Sequence, residues 1–498
     1  MHYDLKIIPA NDELRFRTDS ALVKFFVDSP NLEKGMDDFF SFFKSKLPRI
    51  QKALFLEKKS TELRYYNPAG EPALILLGKI PAGKEFSTDY FRNYFAQLVP
   101  SLVKSKVKHV HIIVPGFKEF KEQFGHEAYF IRTMIEGLLL GNYSFDKYKS
   151  DNEKIEKIAF VFHYSDRKIL NEAFDKSLKI MDAVYFARDL VNEPANSLTP
   201  EEFAKRVKRE LVKINVNVEI YDLKELKKRK MNAILAVAGA SIHPPCMIRL
   251  HYKPAGMSKK KIALIGKGVT YDSGGLSLKP TSGMLDMKAD MAGGAAVIGA
   301  IKAAASLKLP FELYGIIPAV ENMVSGSSYK PGDVIISASS KSIEVKDTDA
   351  EGRIILADAL HLASNLKPDV MIDFATLTGA CVVALGEFVA GLFTQNDQLA
   401  DQLFESGKTT FERLWRLPLW DDYNTLIKSE IADVCNLGPR WGGAITAGKF
   451  LEKFVDTGIP WAHVDIAGPA VKHDFNNYTK KYDTGFGVRL IVEYLMRL

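Results

Sequence analysis

The chain has 498 residues, 47% of them hydrophobic and 26% charged, with a formal net charge of +6. This length holds two or three domains with ample core, and so small a charge leaves no strong general footprint for nucleic acid. Three cysteines, Cys246, Cys381 and Cys435, lie far apart and are odd in number, which argues against a disulfide framework and suits a reducing compartment.

The first six residues lack a basic segment followed by a long apolar run, so no secretory signal is expected. Residues 1–165 read as a mixed α/β domain. Strand-like runs at 73–77, 109–114 and 158–162 alternate with helical patterns such as 91–99, which predicts a compact sheet with crossovers. His109 and His111 share one strand face. They read as a polar stripe on a half-buried strand in preference to a metal pair. The polar run 147–154 reads as a solvated loop, and no chemistry is assigned to this domain.

Residues 168–192 form one long amphipathic pattern, with Ile169, Leu170, Ala173, Phe174, Leu178 and Met181 recurring at mostly three- and four-residue intervals. Asn192-Glu193-Pro194 ends it, because the residue before proline disfavours the α region. This helix is expected to link the domains, over residues 166–196. From 197 to 498 strands and helices alternate regularly. Thr199-Pro200-Glu201-Glu202 is a helix start: a cap, a proline, then acids. Strands are predicted at 216–221, 247–252, 261–266, 312–318 and 369–374, and helices at 224–230 and 292–307. The expected fold class is α/β: the smaller N-terminal α/β domain, then a larger doubly wound domain with a mostly parallel central sheet. The most apolar region, residues 370–393, is interrupted by Asp373, Glu387 and glycines. It falls short of the roughly twenty mostly apolar residues a membrane span needs, so neither a membrane partner nor a non-cytoplasmic location is expected.

Two stretches of the second domain carry chemistry. In Asp347-Thr348-Asp349-Ala350-Glu351-Gly352-Arg353, carboxylates stand two positions apart with a guanidinium two further on. If the backbone is extended, Asp349, Glu351 and Arg353 face the same way. A helical pattern follows, so the acids sit where a strand hands over to a helix, the usual ligand edge of an open α/β sheet. A helix N-terminus decorated with acids is the plainer alternative. Upstream, Lys267, Asp272, Lys279 and Asp290 are embedded among glycines and small residues. Charged groups in such company are seldom buried unless paired or bound to a metal. No histidine or cysteine lies in either stretch, so the donors form a hard oxygen set. For Lys267 alone, a salt bridge to Asp272 is the simpler reading.

These segments resemble the leucyl aminopeptidase (cytosol aminopeptidase) family, cytosolic hexameric di-metal exopeptidases. The resemblance rests on residues 347–353, on Gly266-Lys267-Gly268-Val269-Thr270-Tyr271-Asp272-Ser273-Gly274-Gly275, and on Asn192-Glu193-Pro194, Ala375-Thr376-Leu377-Thr378-Gly379-Ala380 and His463-Val464-Asp465-Ile466-Ala467-Gly468. It covers roughly residue 185 to the C-terminus and is weak before that, where the first domain is taken as macro-like. It implies two divalent ions, zinc or manganese with magnesium as a third candidate. Lys267, Asp272, Asp290 and Glu351 would hold one ion, and Asp272, Asp349 and Glu351 the other. The implied reaction is hydrolysis of the first peptide bond of a peptide by a water between the ions. Lys279 would steady the developing oxyanion, and Arg353 would hold a bicarbonate as general base. Met287, Thr376, Gly379, Ala467 and Ala470 match the pocket for the first side chain, whose apolar character suits leucine or methionine. A homohexamer is implied as well.

Two departures from the family pattern stand out. Asp347 replaces the family's asparagine, and a fifth acid there should favour metal occupancy. Ala238-Gly239-Ala240-Ser241 replaces a loop that more often has two glycines. Two other readings compete: a DNA-binding regulatory role, through lysine clusters such as 224–230, and a di-metal phosphatase.

Overall fold

The computed structural model describes residues 4–10, 15–57, 62–67, 71–81, 87–150, 157–474 and 476–498. The chain divides into two compact units, residues 1–181 with 476–478, and residues 182–475 with 479–498. The division falls within the helix Arg167–Asn192.

The first unit holds β1 (Asp4–Ala10), β2 (Ser20–Val27), β3 (Glu62–Tyr66), β4 (Leu74–Ile80), β5 (His109–Ile113) and β6 (Lys157–His163), in the order β1-β6-β5-β2-β4-β3. All neighbours run parallel except β3 against β4. Three of these strands escape the sequence pattern. β1 and β3 are edge strands with polar alternation, and the apolar run of β2 is broken by Lys24, whose pKa burial pushes down. The Nδ1 of His111 meets Nε2 of His163 at 2.9 Å, and Phe16 packs edge-on against His111. Burial, then the neighbouring His163, holds the His111 imidazole down to about 4, so it stays neutral. His109 accepts from the Arg17 guanidinium at 3.3 Å. Lys147, Tyr148, Lys149 and Ser150 are exposed, whereas residues 151–154 of the predicted loop lie outside the described residues.

The second unit contains β7 (Asn217–Tyr221), β8 (Cys246–Tyr252), β9 (Lys261–Gly266), β10 (Gly268–Asp272), β11 (Glu312–Asn322), β12 (Val334–Ile336), β13 (Ser342–Glu344), β14 (Val370–Ala375), β15 (Ala390–Phe393), β16 (Leu414–Arg416), β17 (Val434–Cys435) and β18 (Trp461–Asp465). Its large sheet runs β16-β15-β18-β14-β9-β11-β8-β7, with β10 added to the end of β11. The centre, β18-β14-β9-β11, is parallel, and the antiparallel pairings lie towards the flanks. The helix Ala292–Ser306 packs over the face carrying Gly266 and Ile317, and the helix Glu351–Ser364 over the face carrying Ala263 and Ile265. The fold is therefore a smaller N-terminal α/β domain and a larger doubly wound domain with a mostly parallel sheet. The predicted start of the helix Pro200–Leu211 is present, with the Thr199 hydroxyl accepting from the Glu202 amide at 3.4 Å. The three cysteines are free and buried. Among the described residues no helix is long and apolar enough to cross a membrane.

Register decides what comes together. Gly266 stands beside Phe374, and Ala375 beside Asp465, so the chain leaves β9, β14 and β18 side by side at one edge of the sheet. Two glycines let the backbones close there. A Cβ on Gly266 would lie 2.6 Å from the Gly293 carbonyl oxygen, and one on Gly293 only 2.0 Å from the carbonyl oxygen of Phe374. The first turn of the helix Ala292–Ser306 is thereby seated against the ends of β9 and β14, with Asp290 just before it. Gly293→Ala must separate backbone from backbone. It is expected to lower the urea-unfolding free energy by at least about 3 kcal/mol, the upper end for overpacking. An unfolding curve that matches the parent would contradict this.

Candidate active site

Each functional side chain is delivered by the end of an element. β10 ends at Asp272, whose Oδ1 accepts from the Gly274 amide and from Nδ2 of Asn322, both at 2.9 Å. Gly274 and Gly275 then take φ +87° and +65°, left-handed conformations that favour glycine. The tight turn brings Lys279 back, so that its Nζ lies 2.8 Å from Oδ2 of Asp272 and 2.5 Å from Oδ1 of Asp349. Asp290 follows the short turn Met287–Ala289. Glu351 opens the helix Glu351–Ser364, where an acid also suits the macrodipole.

The segment before Glu351 is not extended. β13 stops at Glu344, and Thr348 and Asp349 form a turn that Oδ1 of Asp347 closes by accepting the Asp349 amide at 2.8 Å. A short side-chain acceptor outcompetes the strand ladder here. Asp347 is thus folded back on its own backbone, and the alternation expected of a strand does not apply. Thr348 fastens this turn to the upstream segment: its hydroxyl donates to the Gly274 carbonyl at 2.7 Å and accepts the Ser277 amide at 2.8 Å.

The acids converge. Carboxylate oxygens of Asp272, Asp290 and Glu351, all three buried, lie within 4.8 Å of one another. Lys267 bridges two of them, with Nζ 2.7 Å from Oδ1 of Asp290 and 2.8 Å from Oε1 of Glu351, and it also donates to the Thr376 carbonyl at 3.0 Å. Its ion-pair partners are these two acids, and Asp272 pairs with Lys279 instead. Burial alone would lower the Lys267 pKa, but Asp290, Glu351 and Asp272 outweigh it and raise it. Burial pushes Asp290 up to about 6, with Lys267 opposing, and burial and Asp272 push Glu351 well above the carboxylate range. Burial also raises Asp349, and it lowers Arg353 against the pull of Glu351.

Among the described residues, three carboxylate oxygens of the site are buried without a hydrogen-bond partner; Oδ1 of Asp349 still meets the Lys279 ammonium, whereas Oδ2 of Asp290 and Oε2 of Glu351 meet no cation. A buried acceptor left this way costs about 1–3 kcal/mol, more when charged. A hard dication would satisfy both, so the residues present fit a divalent ion on their own chemistry.

The site opens into a cavity of about 490 Å³ lined by six carboxylates (Asp272, Asp286, Asp290, Asp347, Asp349, Glu351) and three cations (Lys267, Lys279, Arg353). Met287, Thr376, Gly379 and Ala467 also line it. Ala470 is buried, and it is the adjacent Val471 that reaches the wall. Thr376 does more than line: its hydroxyl donates to Oδ1 of Asp290 at 2.8 Å. Buried Arg353 donates from Nη1 to the Asn436 carbonyl at 2.9 Å, and its Nε finds no acceptor among the described residues. Ser241, in the departing loop, donates to Oε2 of Glu321 at 2.5 Å, so the loop is anchored to β11. A wider cleft of about 840 Å³ lies along β16. Its Asp397 is paired with Arg416 at 2.6 Å and its Asp421 with Lys449 at 2.9 Å, so it offers no comparable set of unsatisfied donors.

Sequence reading misses Asn322 and Asn436, both fully buried. Asn436 donates from Nδ2 to the Asp347 carbonyl at 2.6 Å and accepts the Lys346 amide at 2.8 Å, holding the acidic turn. The one signal for Asn322 is a polar side chain closing a long apolar strand. For Asn436, after the two-residue β17, there is none.

The chain is similar to known proteins over most of its length. Residues 185–492 match the cytosol aminopeptidase family, catalytic domain, and residues 58–152 match that family's N-terminal domain. The chain is 45% identical over 433 residues to a probable cytosol aminopeptidase of Chloroherpeton thalassium, covering 83% of this chain and 84% of the relative. It is 44% identical over 413 residues to one from Aquifex aeolicus, covering 82% of each. Among solved structures, the bottromycin maturation enzyme BotP in complex with Mn superposes with a TM-score of 0.82 at 30% identity, over 96% of this chain and 99% of that one.

Gly352 offers a test of the Lys267 bridge. A Cβ there would lie 2.4 Å from Cε of Lys267, the movable end of a side chain. Gly352→Ala favours the helix by up to about 1 kcal/mol. It is therefore expected to keep the parent's unfolding midpoint while weakening manganese uptake about 10- to 100-fold. Calorimetric titration of the two proteins checks this, and equal affinities would show that the lysine's place is unimportant.

Proposed function

Because this chain belongs to the cytosol aminopeptidase family, we propose that it is a metal-dependent exopeptidase that removes N-terminal residues, leucine and methionine preferred, through a site for two divalent ions. The observation that carries the reading is the pair of buried oxygens on Asp290 and Glu351, without a partner among the described residues, amid converging carboxylates. We assign Lys267, Asp272, Asp290 and Glu351 to one ion, and Asp272, Asp349 and Glu351 to the other. Zinc or manganese is the expected metal, with magnesium as a third candidate, and the similar structure of BotP is a complex with Mn, which supports manganese among them. When bound, two such ions supply Lewis acidity to the scissile carbonyl and acidify water beside it.

The chain's own residues do the rest. Lys267 must give up its proton to act as a ligand, which a nearby dication favours. Lys279, held between Asp272 and Asp349, presents an ammonium to the oxyanion that develops on the scissile carbonyl. Arg353, buried and with a free Nε–H among the described residues, suits a small oxyanion, and we assign it bicarbonate as general base. Met287, Gly379 and Ala467 give the first side chain an apolar wall. Thr376 joins that wall to Asp290, so the pocket and the metal donors share one support. A cytoplasmic homohexamer acting on peptides is the proposed setting, and sedimentation of the full chain tests the assembly.

The alternatives fare less well. Met287, Gly379 and Ala467 make the wall of the cavity beside the acids apolar, which disfavours a phosphate substrate. In the lysine-rich segment 224–230, Glu225 pairs with Arg229 at 2.8 Å, and Leu226 alone is buried in the helix Leu223–Lys228, as on a solvated face. DNA retention that falls steeply with salt would revive a binding role.

Hydrolysis of leucine and methionine anilides, lost on chelation and restored by manganese, is the expected result; turnover of a phosphomonoester with inert anilides would reverse the assignment. Asp347→Asn keeps the acceptor that closes the Asp349 turn and removes only a charge. It is expected to weaken manganese binding by a few-fold, about 1 kcal/mol for one partly screened charge, with anilide hydrolysis retained. An unchanged titration would remove Asp347 from the account.

A further inference from the structure

Asn322 ends β11, is fully buried, and belongs to neither acidic segment. Its Nδ2 donates to Oδ1 of Asp272 and to the Thr348 carbonyl, both at 2.9 Å. One amide thus spans the two stretches that supply the acids, which lie more than seventy residues apart in the chain. Its orientation is forced. Turned over, the amide oxygen would face a carboxylate and a carbonyl, both acceptors. Its Oδ1 accepts nothing among the described residues, so the two donors alone fix it. The bare Gly275 makes room, since a Cβ there would stand 3.0 Å from that oxygen. The backbone carbonyl of Asn322 in turn accepts the Ser273 amide at 3.0 Å and the Ser273 hydroxyl at 2.8 Å, so the residue after Asp272 is clamped as well.

We infer that Asn322 is a positioning residue for the metal site: it engages Oδ1 of Asp272 so that Oδ2 faces the cavity, and it sets the separation of the Asp272 and Asp349–Glu351 segments. The inference rests on the metal reading above. With the Gly274 amide it gives Oδ1 two donors, and the carboxylate plane is fixed before any ligand arrives. Oδ2 is left to Lys279 and the cavity. Such supporting contacts typically govern 10- to 100-fold in metal affinity.

The test uses the full chain stripped with chelator, titrated calorimetrically with manganese, with urea-unfolding curves of each stripped form. Asn322→Asp is isosteric and adds negative charge. If charge alone mattered it would bind manganese more tightly. If positioning matters, a carboxylate set against Asp272 and Thr348 weakens binding. Both Asn322→Asp and Asn322→Ala are expected to raise the manganese Kd by about 10- to 100-fold. Tyr329→Phe removes the other side-chain donor to the Thr348 carbonyl, at 2.7 Å, without touching Asp272, and is expected to keep the parent affinity. Parental or tighter binding by Asn322→Asp overturns the inference. So does an Asn322→Asp protein that does not fold, since the residue is then a staple of the fold, or a Tyr329→Phe loss equal to that of Asn322→Ala. A parent chain that takes up no manganese is a separate outcome, and overturns the metal assignment itself.

Discussion

The site is governed by charge balance in a small buried volume. Two unit charges 4 Å apart repel by about 4 kcal/mol at an effective dielectric near 20, and here several carboxylates lie at comparable separations. Such a cluster persists only if cations are built in beside it. Lys267 and Lys279 answer this need, each set between a pair of acids. The neutralisation is incomplete, and the oxygens left over on Asp290 and Glu351 are where a dication is wanted.

The fold serves this balance by bringing chain ends together. A parallel centre places the exits of β9, β14 and β18 at one edge, and side-chain-free backbone at Gly266 and Gly293 allows the following helix to begin against them. Lys267, Asp290 and Thr376 then meet although they come from three different loops. The acidic turn at 347–351 is brought in from the opposite face of the sheet and tied down by neutral groups: Thr348, Asn436 and Asn322. Neutral hydrogen-bonding residues suit that task because further charges there would upset the balance they support.

The N-terminal unit contributes a different lesson. Of its two strand-face histidines, His111 is held neutral by burial and stacks on and hydrogen-bonds His163 from the neighbouring strand, whereas His109 meets Arg17. The spacing of His109 and His111 is visible in the sequence, but the partner that settles the role of His111 is not, because cross-strand neighbours depend on register.

By itself the sequence disclosed a hard oxygen-donor set in two segments, flanked by apolar strands with alternating helices as in an α/β sheet with acids at its edge; the metal chemistry of those segments was what their resemblance to the leucyl aminopeptidase family implied. Long periodic elements were legible as well, as in the helix Arg167–Asn192 and in β9 and β14. Tertiary structure alone decided which lysine neutralises which acid, that the 347–351 segment turns back on the Asp347 side chain, that Val471 and not Ala470 reaches the cavity, and that Asn322 and Asn436 hold the assembly. Those outcomes depend on distances between residues remote in the chain, and neither periodicity nor spacing encodes such distances.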